Sequence, residues 1–179
     1  MTTLDSRTST APVGQIDARG PRFGAAVTTV VLALTLLSIP STLSLVLLAA
    51  QTVVFALGAL VGLHAQPYGI AFRRFVRPRL GAPTDFEDPA PPRFAQSVGL
   101  VFALVGLLGL VTGATAVAYV AVAFALGAAF LNAAFNFCLG CEMYLIGRRL
   151  LPSRASLPTA SVPTASLPTA APLVEEASA

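Results

Sequence analysis

The chain has 179 residues, of which 55% are hydrophobic and only 11% charged, and its mean hydropathy is +0.78. A soluble domain of this length carries about a quarter charged residues, so the composition excludes a soluble globular protein and points to a membrane protein. All eleven basic residues are arginine, and a formal net charge of +3 scattered along the chain forms no basic patch of the kind nucleic acid requires.

Residues 1–16 are rich in Thr, Ser and Ala. They lack the basic flank, apolar core and small-residue cleavage site of a signal peptide, and are expected to form a disordered N-terminal tail. The transmembrane domain is expected over residues 17–150. A first span is predicted from about Gly24 to Ile39, ending where Pro40 removes the backbone donor that a continuing helix would need. A second runs from about Thr42 to Leu63, long enough to cross a hydrocarbon core about 30 Å thick. Residues 64–93 form the longest polar interval, with an acidic, proline-rich piece from Asp85 to Pro92. A third span is predicted from about Phe94 to Val111 and a fourth from about Thr115 to Phe137, joined by a tight turn at Thr112–Ala114. Beyond Pro152, Ser-Leu/Val-Pro-Thr-Ala repeats with a period of five residues. Such a segment cannot build a core, so residues 151–179 are expected to be a disordered tail.

The arginines set the expected orientation. Arg7, Arg19 and Arg22 precede the first span, Arg73, Arg74, Arg77, Arg79 and Arg93 lie in the central interval, and Arg148, Arg149 and Arg154 follow the fourth span. The two tight turns contain none. Arginine in short flanks is retained on the cytoplasmic side, so both termini and the 64–93 loop are expected inside the plasma (inner) membrane. Arg73, Arg74, Arg77 and Arg79, interleaved with Phe72, Phe75 and Val76, suit a segment lying on the inner leaflet with arginines on anionic headgroups and aromatic rings in the interface.

The chain also repeats itself. Asp17-x-x-x-Pro21-Arg22-Phe23 returns as Asp88-x-x-x-Pro92-Arg93-Phe94, and Tyr68-x-Ile70 with Arg73-Arg74 returns as Tyr144-x-Ile146 with Arg148-Arg149. The expected fold class is therefore an all-α, integral-membrane four-helix bundle built from two parallel-repeat hairpins. Glycines at 58, 62, 99, 106, 109 and 113 give faces on which helices can approach closely. Gln51, Gln96, Asn132 and Asn136 are expected to pair with one another or to line a small cavity.

Chemistry concentrates in Phe135-Asn-Phe-Cys138-Leu-Gly140-Cys141-Glu-Met-Tyr144, which holds the chain's two cysteines. If the fourth span runs straight into this motif, the cysteines share one helix face at the cytoplasmic boundary, close enough to be bridged. Arg148 and Arg149 would then favour the thiolate while a helix C-terminus would oppose it. On that geometry Cys141, nearer to Arg148, is the expected attacking thiol. His64 enters as a proton donor or acceptor if the repeat brings it beside the pair. Four readings stand open: a redox or sulfur-handling dithiol, a structural pair, a metal site, and solute conduction. A single histidine and two cysteines make a poor zinc site, so no metal is expected, and no cofactor is implied. A dithiol would be served by a thioredoxin-like or sulfurtransferase partner. The contrasting function is a noncatalytic scaffold or subunit, in which oligomerisation is also open.

Asp17-x-Arg-Gly-Pro-Arg-Phe23, Arg73-x-x-x-Arg77-Pro-Arg79, Asp88-Pro-x-Pro-Pro-Arg-Phe94 and Phe135-Asn-Phe-Cys-Leu-Gly-Cys-Glu-x-Tyr144 together resemble an uncharacterised bacterial membrane family, common in actinobacteria, known as domain of unknown function 4395. The resemblance covers about residues 15–150. It implies membership and a membrane location and points to no particular activity. The four-span plan with a terminal C-x-x-C is also similar to vitamin K epoxide reductase and DoxX-like proteins, at the level of plan alone.

Overall fold

The structure, a computed structural model, describes residues 14–150 apart from Ala82 and Thr84. The expected disordered tails therefore lie outside the described residues, except for Gly14–Ile16. Both halves of the bundle begin with the same local device. The Asp17 carboxylate accepts the Arg19 backbone N–H at 3.0 Å, and the Asp88 carboxylate accepts that of Ala90 at 2.8 Å. Each satisfies a donor at a helix start that has no partner within the helix. α1 (Arg19–Ser38) and α4 (Ala90–Val111) start at these points, earlier than the expected Gly24 and Phe94. Pro91 and Pro92 fall in the first turn of α4, where a missing N–H costs nothing. The first span has 20 residues, so it reaches about 30 Å without strain.

After α1 the chain turns through a cis Ile39–Pro40 peptide. Ser41 caps α2 (Thr42–Ala56), its hydroxyl accepting the Ser44 N–H. α2 continues as a wide π-helical turn over Leu57–Val61. Two carbonyls of that turn are taken by Arg93, whose Nε donates to Ala59 at 2.8 Å and whose second nitrogen donates to Leu60 at 2.9 Å. The repeat partner Arg22 performs the equivalent task across the molecule, donating from Nε to Ala133 near the end of α5 (Thr115–Phe135) at 3.1 Å. Each repeated arginine thus holds the last turn of a span in the other half.

The four spans have mean hydropathies of 1.5, 2.2, 2.2 and 1.9. α1 packs on α2 and α5, and α4 packs on the same two, which closes the bundle. At its centre Leu32, Leu48, Ala103, Ala118 and Val122 are nearly or fully inaccessible. The α4 glycines serve packing within the bundle: a Cβ at Gly106 would meet Leu48 at 3.2 Å and Val122 at 3.3 Å, and one at Gly109 would lie 2.8 Å from the backbone nitrogen of Ala118. Outward-facing residues are large and apolar, with Leu37 85% and Val111 70% exposed. That inversion of the usual pattern is stable only against lipid.

The polar interval is more structured than a loop. It folds into α3 (Pro67–Ala71), a π turn over Phe72–Val76 and a 3₁₀ turn over Arg77–Arg79. A two-residue strand, β2 (Phe86–Glu87), then pairs antiparallel with β1 (Ile16–Asp17). The expectation that the aromatic rings of this segment enter the lipid interface is corrected at Phe72, which is 3% exposed. Its ring lies over Gly20 and 5.7 Å from that of Phe23, because packing against α1 buries it more completely than the interface could. Phe75 remains outward.

Candidate functional site: a dithiol at a helix start

The fourth span does not run into the cysteine motif. α5 ends at Phe135, and Asn136 adopts a left-handed conformation, φ 56°, which asparagine tolerates better than most residues. The Asn136 N–H returns to the Asn132 carbonyl at 3.1 Å and that of Phe137 to Leu131 at 3.3 Å, a closure typical of helix ends. With Arg22 on Ala133, the terminal carbonyls of α5 are largely occupied. The expected shared face of Asn132 and Asn136 is lost at this break.

A new helix, α6 (Leu139–Leu150), begins immediately after Cys138. The Cys138 carbonyl accepts the Glu142 N–H at 3.0 Å, and its sulfur accepts the Cys141 N–H at 3.3 Å. Cys138 therefore stands where a capping side chain stands. Cys141 sits in the first turn, its Cα 5.2 Å away, and the two sulfurs are joined as a disulfide. Both residues are partly exposed. The expected helix running through the motif is thus replaced by the start of a new one. The nearest helix end is an N-terminus, which favours negative charge on Cys138. Arg148, counted on to activate Cys141, is about two turns further along α6 and lies 5.9 Å above the Tyr144 ring.

α6 is seated on the start of α4. A Cβ on Gly140 would come within 2.6 Å of the Ala95 Cα, so only glycine fits there. One helical turn on, Tyr144 meets Phe94 at 5.8 Å.

His64 sits elsewhere. It lines a cavity with Asp17, Phe72, Arg73 and Arg77 to which neither cysteine contributes, and its carbonyl accepts Arg73 at 2.7 Å. Of the polar residues singled out from the sequence, Gln51 is fully buried, donating to Thr28 at 3.4 Å and accepting from the Tyr68 hydroxyl at 2.8 Å. Gln96 accepts from Gln66 at 3.0 Å. Sequence reasoning missed Gln66 and Tyr68 as partners, and no local pattern marks them. It also missed the capping roles of Arg22 and Arg93, for which the repeated Pro-Arg-Phe triplet was the available signal.

Among the described residues outside the spans, three groups are shifted. Burial raises the Tyr68 hydroxyl. Burial and the neighbouring Asp17 charge raise the Glu87 carboxyl. Burial would raise Asp17 too, but its hydrogen bonds to the Arg19 side chain and backbone outweigh that and lower it.

These features define a multi-pass, all-α membrane protein carrying a helix-capping cysteine pair at one end of its bundle. The chain belongs to the family described as domain of unknown function DUF4395, whose model matches residues 16–149. No curated protein and no solved structure matches it.

Proposed function

We propose that Cys138 and Cys141 form a thiol–disulfide or sulfur-relay centre at the cytoplasmic face of the plasma membrane, serving a thioredoxin-like or sulfurtransferase partner. The observation that carries this reading is the position of the Cys138 sulfur at the α6 N-terminus, accepting the Cys141 N–H. A thiolate there is stabilised both by that donor and by the helix field. The disulfide is the oxidised half of the cycle. In the reduced form the Cys138 thiolate attacks a partner disulfide and expels one partner thiolate. Cys141, as thiolate, then attacks the Cys138 sulfur and expels the second. The pair is oxidised, the partner gains two electrons, and the two protons from the pair pass to the partner's thiols. The attacker is thus Cys138 rather than Cys141. The inside location of this end follows from the arginine distribution.

A noncatalytic scaffold is the second reading, favoured by the close seating of Gly140 on Ala95, which lets the disulfide act as a staple of the α5–α6 junction. Labelling separates the two. In reduced, intact membranes at neutral pH, a maleimide should modify Cys138 in the Cys141→Ser variant faster than Cys141 in the Cys138→Ser variant, and the double variant should be sensitive to oxidative or sulfur stress. If both thiols resist labelling until the bundle is unfolded, and the double variant grows normally under those stresses, the redox reading is refuted.

A further inference from the structure

We propose that the cavity between the start of α1 and the α3 region is a phosphate-binding pocket, taking either the phosphate of an anionic lipid headgroup or a free phosphomonoester. The cavity measures about 200 Å³, room for about six or seven waters. That suits a headgroup or a small phosphate ester and is too small for a whole lipid.

Its polar lining is cationic in balance. Arg73, Arg77, His64 and Gln15 face it together with a single acidic group, Asp17. Both Asp17 oxygens are occupied by Arg19, which donates from its backbone N–H, Nε and a terminal nitrogen, each at 3.0 Å. Asp17 is paired mainly within its own turn by Arg19, with Arg77 adding a weaker attraction, so the two arginines of the lining outnumber its one carboxylate. Arg73 is held in place by its hydrogen bond to the His64 carbonyl and lies over Gly69, so little side-chain freedom remains to be lost on binding. The Arg77 side chain makes no hydrogen bond or salt bridge among the described residues and feels only the nearby Asp17 charge, which leaves its guanidinium donors available to a ligand.

Apart from Gln66, whose amide donates to Gln96, the remaining walls are apolar or glycine. Phe72, Phe86 and Leu63 line the same space, giving an apolar floor under the exposed Arg73 and Arg77 guanidiniums. Leu63 and His64 also follow one residue after the end of the second span at Val61, which puts the pocket at the end of a span, where a bilayer has its headgroups. Of the four arginines in this segment only Arg73 and Arg77 line it, and Arg74 and Arg79 do not. That division separates a formed site from general attraction between a basic segment and an anionic surface.

The test uses full-length protein in nanodiscs of phosphatidylcholine, either with phosphatidylglycerol included or with soluble glycerol 3-phosphate added, and follows thermal unfolding as ligand is titrated. At least one phosphate source should raise the midpoint. Arg77→Gln, which breaks no internal bond, should weaken the apparent affinity about tenfold, as expected for loss of one charge-assisted contact. Arg74→Gln, Arg79→Gln and the Cys138→Ser/Cys141→Ser double variant should leave it unchanged, the last because the pocket is independent of the thiol chemistry. A response to phosphatidylglycerol alone identifies a headgroup site, and a response to glycerol 3-phosphate identifies a soluble ligand. The proposal is overturned if neither source shifts the midpoint, or if Arg74→Gln weakens binding as much as Arg77→Gln.

Discussion

Replacing Gly140 by alanine tests whether the cysteine turn is held by the bundle. The added methyl would lie 2.6 Å from both the Cα and the Cβ of Ala95, and 3.4 Å from its nitrogen. Carbon atoms at rest lie about 3.5–4.0 Å apart, so the contact must open by about 1 Å. The obstructing atoms belong to the backbone of α4, which is packed against α2 and α5. The first turn of α6 is therefore the part that moves. Enlarging a side chain in a tight contact costs about 1–3 kcal/mol, and the same displacement loosens Tyr144 from Phe94. Unfolding of the reconstituted protein should show this loss, and both reduced thiols should label faster as their turn lifts away. Combining Gly140→Ala with Ala95→Gly should recover only part of the stability, because the Ala95 Cα still obstructs the methyl. A change smaller than about 0.5 kcal/mol with unaltered labelling would refute the seating of α6 on α4.

Reporters fused after residue 85 or after residue 155 should read cytoplasmic and one at Thr112 external; reversal would move the cysteines to an oxidising compartment. Arg93→Met should cost about 1–2 kcal/mol, and Arg22→Met less, since Arg93 holds two carbonyls and Arg22 one; the reverse order in unfolding experiments would count against the cross-capping account. Stability should also respond to pH through the β1–β2 bridge. Because Glu87 is raised above its ordinary 4.5, the folded state binds more protons than the unfolded chain there, and stability falls as pH rises from that value through the folded one. Glu87→Gln should remove that fall, and a wild-type slope that persists in the variant would exclude Glu87 as its source. Asp17 acts in the opposite sense: it is lowered from 3.8, so its contribution is present above that value and is lost as pH falls through the folded one.

Much of the architecture was legible because a bilayer imposes local requirements. A stretch of about 20 apolar residues satisfies them whatever its neighbours do, so the four spans and the turns at Pro40 and Gly113 could be read directly. The repeated Asp-x-x-x-Pro-Arg-Phe was legible as a pattern, and its meaning emerged from contacts: the aspartates open α1 and α4, while each arginine reaches a helix end far away in sequence. The polar interval was harder to read. α3, the turns after it and the two-residue bridge depend on Phe72 finding Phe23 and on Ile16–Asp17 meeting Phe86–Glu87, and no window of the sequence contains both partners of either contact.

At the cysteines the division is sharpest. The spacing of Cys138 and Cys141 and their place beyond the last span follow from the residues alone. The apolar pattern runs on through Phe137, so nothing local announces that Asn136 turns left-handed, and an asparagine near a helix end is compatible with continuation or with a stop. The stop is favoured because α6 must change direction to lay Gly140 on Ala95 and Tyr144 on Phe94. That long-range packing starts a new helix at Cys138 just after the end of α5, and so gives its sulfur the Cys141 N–H of a helix first turn as a donor.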